Sequence, residues 1–102
     1  MKYIKTFDPQ IDDFCIAYDT VYDGLKSKSY CDQMEYCKNN VGQIIKIKND
    51  VYIIYYNNVP IDLGFTNGFT YFTIVSIGKN IYFYSKSKEE CEIFLTGKKY
   101  NI

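Results

Sequence analysis

The sequence predicts an α+β fold in which two ββα-like motifs, each a β-hairpin followed by a helix, are related by pseudo-symmetry and share a mostly antiparallel sheet. Three observations lead there. Three segments, Phe14 to Tyr22, Ile44 to Tyr52 and Ile74 to Tyr82, align without a gap, each thirty residues after the last. At an offset of sixty, Lys26-Ser27-Lys28 with Cys31 corresponds to Lys86-Ser87-Lys88 with Cys91. Both of those triplets then run into a stretch with helical periodicity.

A chain of 102 residues and 12.0 kDa has the size of one domain, able to bury roughly two-thirds of its unfolded surface around a single core. The duplication divides it at about residues 1–42 and 43–102. An initial strand near Lys2 to Phe7 is expected to pair alongside the first hairpin. In the aligned segments the first column reads Phe14, Ile44, Ile74, the second Cys15, Ile45, Val75, and the fourth Ala17, Ile47, Ile77. A polar pair follows, then Val21, Val51, Ile81 and an identical Tyr22, Tyr52, Tyr82. An apolar run, a short polar turn and a β-branched and aromatic return predict three hairpins. In the middle one, a two-residue turn at Asn49-Asp50 places Ile47 opposite Tyr52 and Ile45 opposite Ile54, with Lys46 and Lys48 on the other face.

Helices are expected at about Lys28 to Asn39 and Ser87 to Thr96. Ser29 with Asp32 and Ser87 with Glu90 each set a hydroxyl three residues before a carboxylate, close to the capping-box pattern. Tyr30, Met34, Cys37 and Val41 mark the buried face of the first helix, and Cys91, Phe94 and Leu95 that of the second. Asn39-Asn40 and Gly97 stop them. Between the middle and last hairpins, Asn57-Asn58-Val59-Pro60 through Gly68-Phe69 breaks both periodicities and forms the longest loop.

Composition narrows the chemistry. The chain has no histidine, and all twelve of its basic residues are lysine, balanced by twelve carboxylates. Familiar histidine-based acid-base catalysis and mixed Cys/His zinc sites are therefore excluded, and no cofactor is expected. Asp12-Asp13 and Glu89, Glu90 and Glu92 read as a strand start and a helix's first turns, where negative charge suits the dipole. Cys15, Cys31, Cys37 and Cys91 lack CxxC spacing and read as small hydrophobes in a reducing compartment. Net charge zero and the absence of the guanidinium fork argue against nucleic acid as the partner. No apolar run reaches about 18 residues, and the polar start does not resemble a signal peptide. An intracellular protein is the expectation, with no membrane partner.

Two candidate sites remain. Lys26, Lys28, Lys86 and Lys88 precede helix N-termini, where positive charge is unfavourable unless an anion is held there. The stronger signal is aromatic: 12 Tyr and 7 Phe make up 19% of the chain, more than one core of this size can bury. With Val51, Ile53 and Tyr55 turned away from Tyr52 and Ile54, the middle hairpin is apolar on both faces, so its second face meets a helix, a second subunit or a partner. Tyr55, Tyr56, Phe65, Phe69 and Tyr71 are the expected contact residues of a non-catalytic module that binds a protein or peptide, in a groove between the motifs or along an open sheet edge. The second hypothesis is single-stranded nucleic-acid binding by lysines and stacked aromatics.

The short chain, rich in Lys, Ile, Asn and Tyr and without catalytic motifs, resembles across its whole length the small uncharacterised proteins of archaeal filamentous viruses, notably those infecting Acidianus. That resemblance implies a viral protein acting inside the host cell on a host or virion protein.

Overall fold

A computed structural model of the chain describes residues 9–19 and 27–99. In chain order the elements are β1 (Phe14–Ala17), α1 (Lys28–Lys38), β2 (Gly42–Lys48), β3 (Val51–Asn57), β4 (Tyr71–Ile77), a 3₁₀ turn (Gly78–Asn80), β5 (Ile81–Ser85) and α2 (Lys88–Lys99). This is an α+β fold with five antiparallel strands in the order β4-β3-β2-β1-β5. The expected strand near Lys2 to Phe7 and the return arm of the first hairpin, Val21-Tyr22, lie outside the described residues, as does Lys26.

The middle hairpin forms as the alternation predicts, turning at Asn49, whose φ of 57° is one that asparagine tolerates. Ile47 pairs with Tyr52, but Ile54 pairs with Ile44, not with Ile45. A bulge lets Ile45 and Lys46 together oppose Ile53. Because side-chain direction has a period of two, one extra residue reverses the phase of everything before it. Ile44 thereby enters the core while Ile45 stays exposed.

The third hairpin does not form. Ile74 to Tyr82 spans the end of β4 and the start of β5, yet these strands occupy opposite edges of the sheet. Ile77 and Ile81 are four Cα steps apart, at most about 14 Å, whereas five strands laid flat would separate β4 from β5 by roughly 19 Å. The sheet must therefore curl until the end of β4 approaches the start of β5. The bulge in β2 and a second irregularity at Tyr82 of β5, opposite the step from Ile16 to Ala17, add the local twist that such curling needs.

The inner face of the curl holds the main core. Cys15, Ala17, Ile44, Tyr52, Ile54, Tyr56, Phe72 and Ile74 meet Met34 and Cys37 of α1, and Val59 of the long loop joins them. Gly42 is required there, since a Cβ on it would fall 2.6 Å from Cγ2 of Ile54 and 2.7 Å from Cζ of Tyr56. The helix α2 lies against β5 and β1, stacking Phe94 on Phe83 with ring centroids 4.6 Å apart and burying Cys91 completely.

Both helix starts use the repeated Lys-Ser-Lys. Ser27, not Ser29, caps α1, its Oγ accepting from Tyr30 N–H at 3.1 Å. Ser87 Oγ accepts from Glu90 N–H at 3.3 Å. Ser29 lies within the first turn, where its backbone is already helical and cannot take the extended conformation a cap needs. At α2 the box closes through a third residue: Ser87 N–H donates to Ser85 Oγ at 3.0 Å, and Ser85 Oγ donates to the Glu90 carboxylate. These two serines, sixty residues apart, occupy equivalent cap positions on the two helices. α2 does not stop at Gly97 but continues to Lys99, a glycine inside a helix costing only about 1 kcal/mol relative to alanine.

Candidate functional site: the open face of β3 and β4

Along β4 the residues alternate strictly. Phe72, Ile74 and Ser76 point into the core, and Tyr71, Thr73, Val75 and Ile77 are exposed. The register sets Thr73 against Tyr55, Val75 against Ile53 and Ile77 against Val51, so the outward side chains of two strands form one strip that is apolar apart from Thr73. Val75, at 69% exposure, lies in its middle. Ile45, turned outward by the β2 bulge, extends the strip to a third strand.

An aromatic corner closes one end. Tyr71 lies 6.1 Å from Tyr55 and 5.6 Å from Phe69, centroid to centroid. Three of the five expected contact residues are thus brought together at the surface. The other two are not. Tyr56, adjacent to Tyr55 in a strand, points the opposite way, is 1% exposed and donates its hydroxyl to Ala17 O at 3.3 Å. It stacks on Phe72 inside the core, where no partner reaches it. Phe65 also turns inward, edge-on to Phe72 at 5.1 Å and to Tyr36 at 6.4 Å.

The long loop explains why Phe65 and Phe69 part company. Thr66, almost fully buried, donates its hydroxyl to Leu63 O at 2.9 Å and lies 3.1 Å from Ile61 O. Asn67 and Gly68 follow with φ of 53° and 86°, and this pair of left-handed residues reverses the chain and throws Phe69 outward. Val75 and Ile77 were not among the expected contact residues. Their signal was the uncharged composition of Tyr71–Ile77, which marks a strand that lacks the lysines and prolines usual at a free edge.

Lys26 lies outside the described residues, and Lys28, Lys86 and Lys88 each meet different groups. Lys28 lies 3.2 Å from Asp32 in an exposed pair one helical turn away. Lys86 Nζ is 2.7 Å from Oδ1 of buried Asp13, an ion-pair contact without hydrogen-bond alignment. Lys88 lines a polar groove of about 380 Å³ between the C-terminal end of α1 and α2, with Asn39, Asn40, Asn57, Asn58 and Glu92. There it faces the negative end of the α1 dipole.

The four cysteines form no disulfide. Burial pushes the Cys15 and Cys37 thiols up to about 12, with neighbouring Cys91, Cys37 and Asp13 adding to the effect at Cys15 and the nearby Tyr56 hydroxyl opposing it at Cys37. Burial, and then the nearby thiols, raise the Tyr56 hydroxyl well above its ordinary value. These groups are neutral packing elements at physiological pH. No helix among the described residues is long and apolar enough to cross a membrane.

Comparison with family models, with curated proteins and with solved structures finds no match. The surface itself therefore carries the functional reading.

Proposed function

We propose that the chain is a non-catalytic protein-binding module whose contact surface is the open face and free edge of β4, with Tyr55, Phe69 and Tyr71 as its aromatic anchors. One observation carries this reading. Among the described residues β4 is a seven-residue edge strand without a charge, a proline or a bulge, and its outward side chains are apolar except for Thr73. Such an edge offers unpaired backbone groups beside an apolar strip, the arrangement that strand addition uses: main-chain hydrogen bonds give affinity and alternate side chains give selectivity. Tyrosine suits this role because it buries a large area at low entropic cost and keeps its hydroxyl wet.

The groove between α1 and α2 is also open to a partner. Its walls are mostly carboxamide and charged side chains, so it supplies less binding energy than the strip. The resemblance to small archaeal viral proteins suggests an intracellular host or virion protein as the partner. A second reading is single-stranded nucleic acid on the same face. It is favoured by Lys46 and Lys48 on β2, which share that face opposite Ile53 and Val51, and opposed by their distance from the aromatic corner, the aliphatic centre of the strip and the zero net charge.

The test is affinity capture from source cells with the native chain and with the double variant Phe69→Ala, Tyr71→Ala. Loss of specific proteins from the captured set, with the melting temperature unchanged, supports the reading. An identical captured set overturns it. Oligonucleotide binding that falls steeply with salt would favour the second reading.

A further inference from the structure

Resting on that reading of the β4 edge, we infer that the partner seated on it is a second copy of this chain, joined antiparallel through β4 to give one continuous sheet across a two-fold axis. The strand is self-complementary in the way such an axis demands. An axis through Ile74 sets Tyr71 of one copy opposite Ile77 of the other and Thr73 opposite Val75. All four are outward-facing residues, so the apolar strips of the two copies run on without a change of face. The same register sets Phe72 opposite Ser76 and Ile74 opposite itself on the inner side. Both faces thus match in phase over the full length of the strand.

Charge singles out a second copy as the occupant. β4 carries no charged residue, so pairing it with itself brings no like charges together, whereas strands protected against self-pairing usually carry lysine at the edge. The nearest cationic side chains on this face are Lys46 and Lys48 of β2, two strands in from the edge. In the joined sheet the two β2 strands would lie roughly 24 Å apart. That is about three Debye lengths at physiological salt, so their repulsion is screened.

Size sets the strength of the association. Phe69, Tyr71, Val75 and Ile77 are 56%, 48%, 69% and 43% exposed, and because Tyr71, Val75 and Ile77 stand on the sheet face, a strand added in plane covers only their flanks. Together with the strand backbones this falls below the roughly 1,600 Å² of a standard stable interface. The dimer is therefore reversible, in exchange with the monomer.

The test is sedimentation equilibrium of the full chain from micromolar to submillimolar concentration. The native chain is expected to pass from monomer to dimer, and Val75→Lys to remain monomeric with an unchanged melting curve. If Val75→Lys fails to fold, Thr73→Lys, equally outward-facing, takes its place. A chain carrying Thr73→Cys and Val75→Cys should, on oxidation, give an interchain disulfide that peptide mapping assigns to positions 73 and 75. A native chain that stays monomeric, or a dimer indifferent to lysine on β4, overturns the inference. A monomeric chain that still captures another protein through Phe69 and Tyr71 overturns only the second copy and leaves the module reading standing.

Discussion

Lys86 Nζ rests 2.7 Å from Oδ1 of Asp13, joining the start of α2 to the residue that precedes β1. Asp13 is almost wholly buried, and its other carboxylate oxygen accepts from Gln10 N–H at 2.8 Å. A lysine whose place before a helix suggested an external anion thus holds an internal one. Removing it would leave a buried carboxylate without its counter-charge. Since Lys86 is itself largely exposed, Lys86→Ala is expected to cost about 1 kcal/mol. Lys28→Ala breaks only an exposed i,i+4 pair and is expected to cost less than about 0.5 kcal/mol. Urea denaturation of the two variants measures the difference, and equal costs would contradict it.

Gly42 is a packing requirement. The Cβ of Gly42→Ala would overlap Ile54 and Tyr56, both nearly inaccessible to solvent and unable to withdraw. Overpacking of this kind is expected to cost about 1–3 kcal/mol. The near-ultraviolet dichroism of the tyrosines should change with it, because the ring of Tyr56 must shift.

Phe65 and Phe69, four residues apart in one loop, should separate by stability. Phe65 packs edge-on to Tyr36 and Phe72, so Phe65→Ala is expected to destabilise by about 2–3 kcal/mol, below the value for a fully buried ring. Phe69→Ala, at an exposed position, should change stability by less than about 0.5 kcal/mol. Thermal melts of the two single variants check this, and comparable losses would refute the inward and outward assignment.

Alkaline pH should weaken the fold in a defined direction. Cys15 and Cys37 are raised from an ordinary value near 9 to about 12, so between those values the unfolded chain has released protons that the folded chain retains. Stability is then complete below about pH 9 and falls as pH rises toward 12. Chemical denaturation across this range is expected to show that fall, with a shallower slope for Cys37→Ala. In the folded protein at pH 8, a thiol reagent should label half-exposed Cys31 well before Cys15, Cys37 and Cys91, which have no exposure.

Much of the local structure was legible in the sequence because its causes are local. Helical spacing of Met34 and Cys37, the hydroxyl cap at Ser87, the turn at Asn49-Asp50 and the Pro, Asn and Gly breaks of the long loop each depend on residues a few positions apart. The apolar second face of the middle hairpin was readable for the same reason. What the sequence could not decide is which strands meet. The repeat in Ile74 to Tyr82 has the pattern of a hairpin, yet pairing is settled by hydrogen bonds between distant segments. The curled sheet gave β4 to β3 and β5 to β1.

The site divided along the same line. Tyr55 and Tyr56 are chemically identical neighbours, and only the register of β3 against β2 and β4 makes one a surface side chain and the other a core ring. One bulge at Ile45 reverses a phase that the hairpin turn alone would have set otherwise. The sequence by itself determined an α+β chain with two capped helices and more aromatic surface than its core can hold. The tertiary structure decided which aromatics that surface keeps, because inside and outside on a strand differ by a single residue of register, and register is fixed by partners far away in the chain.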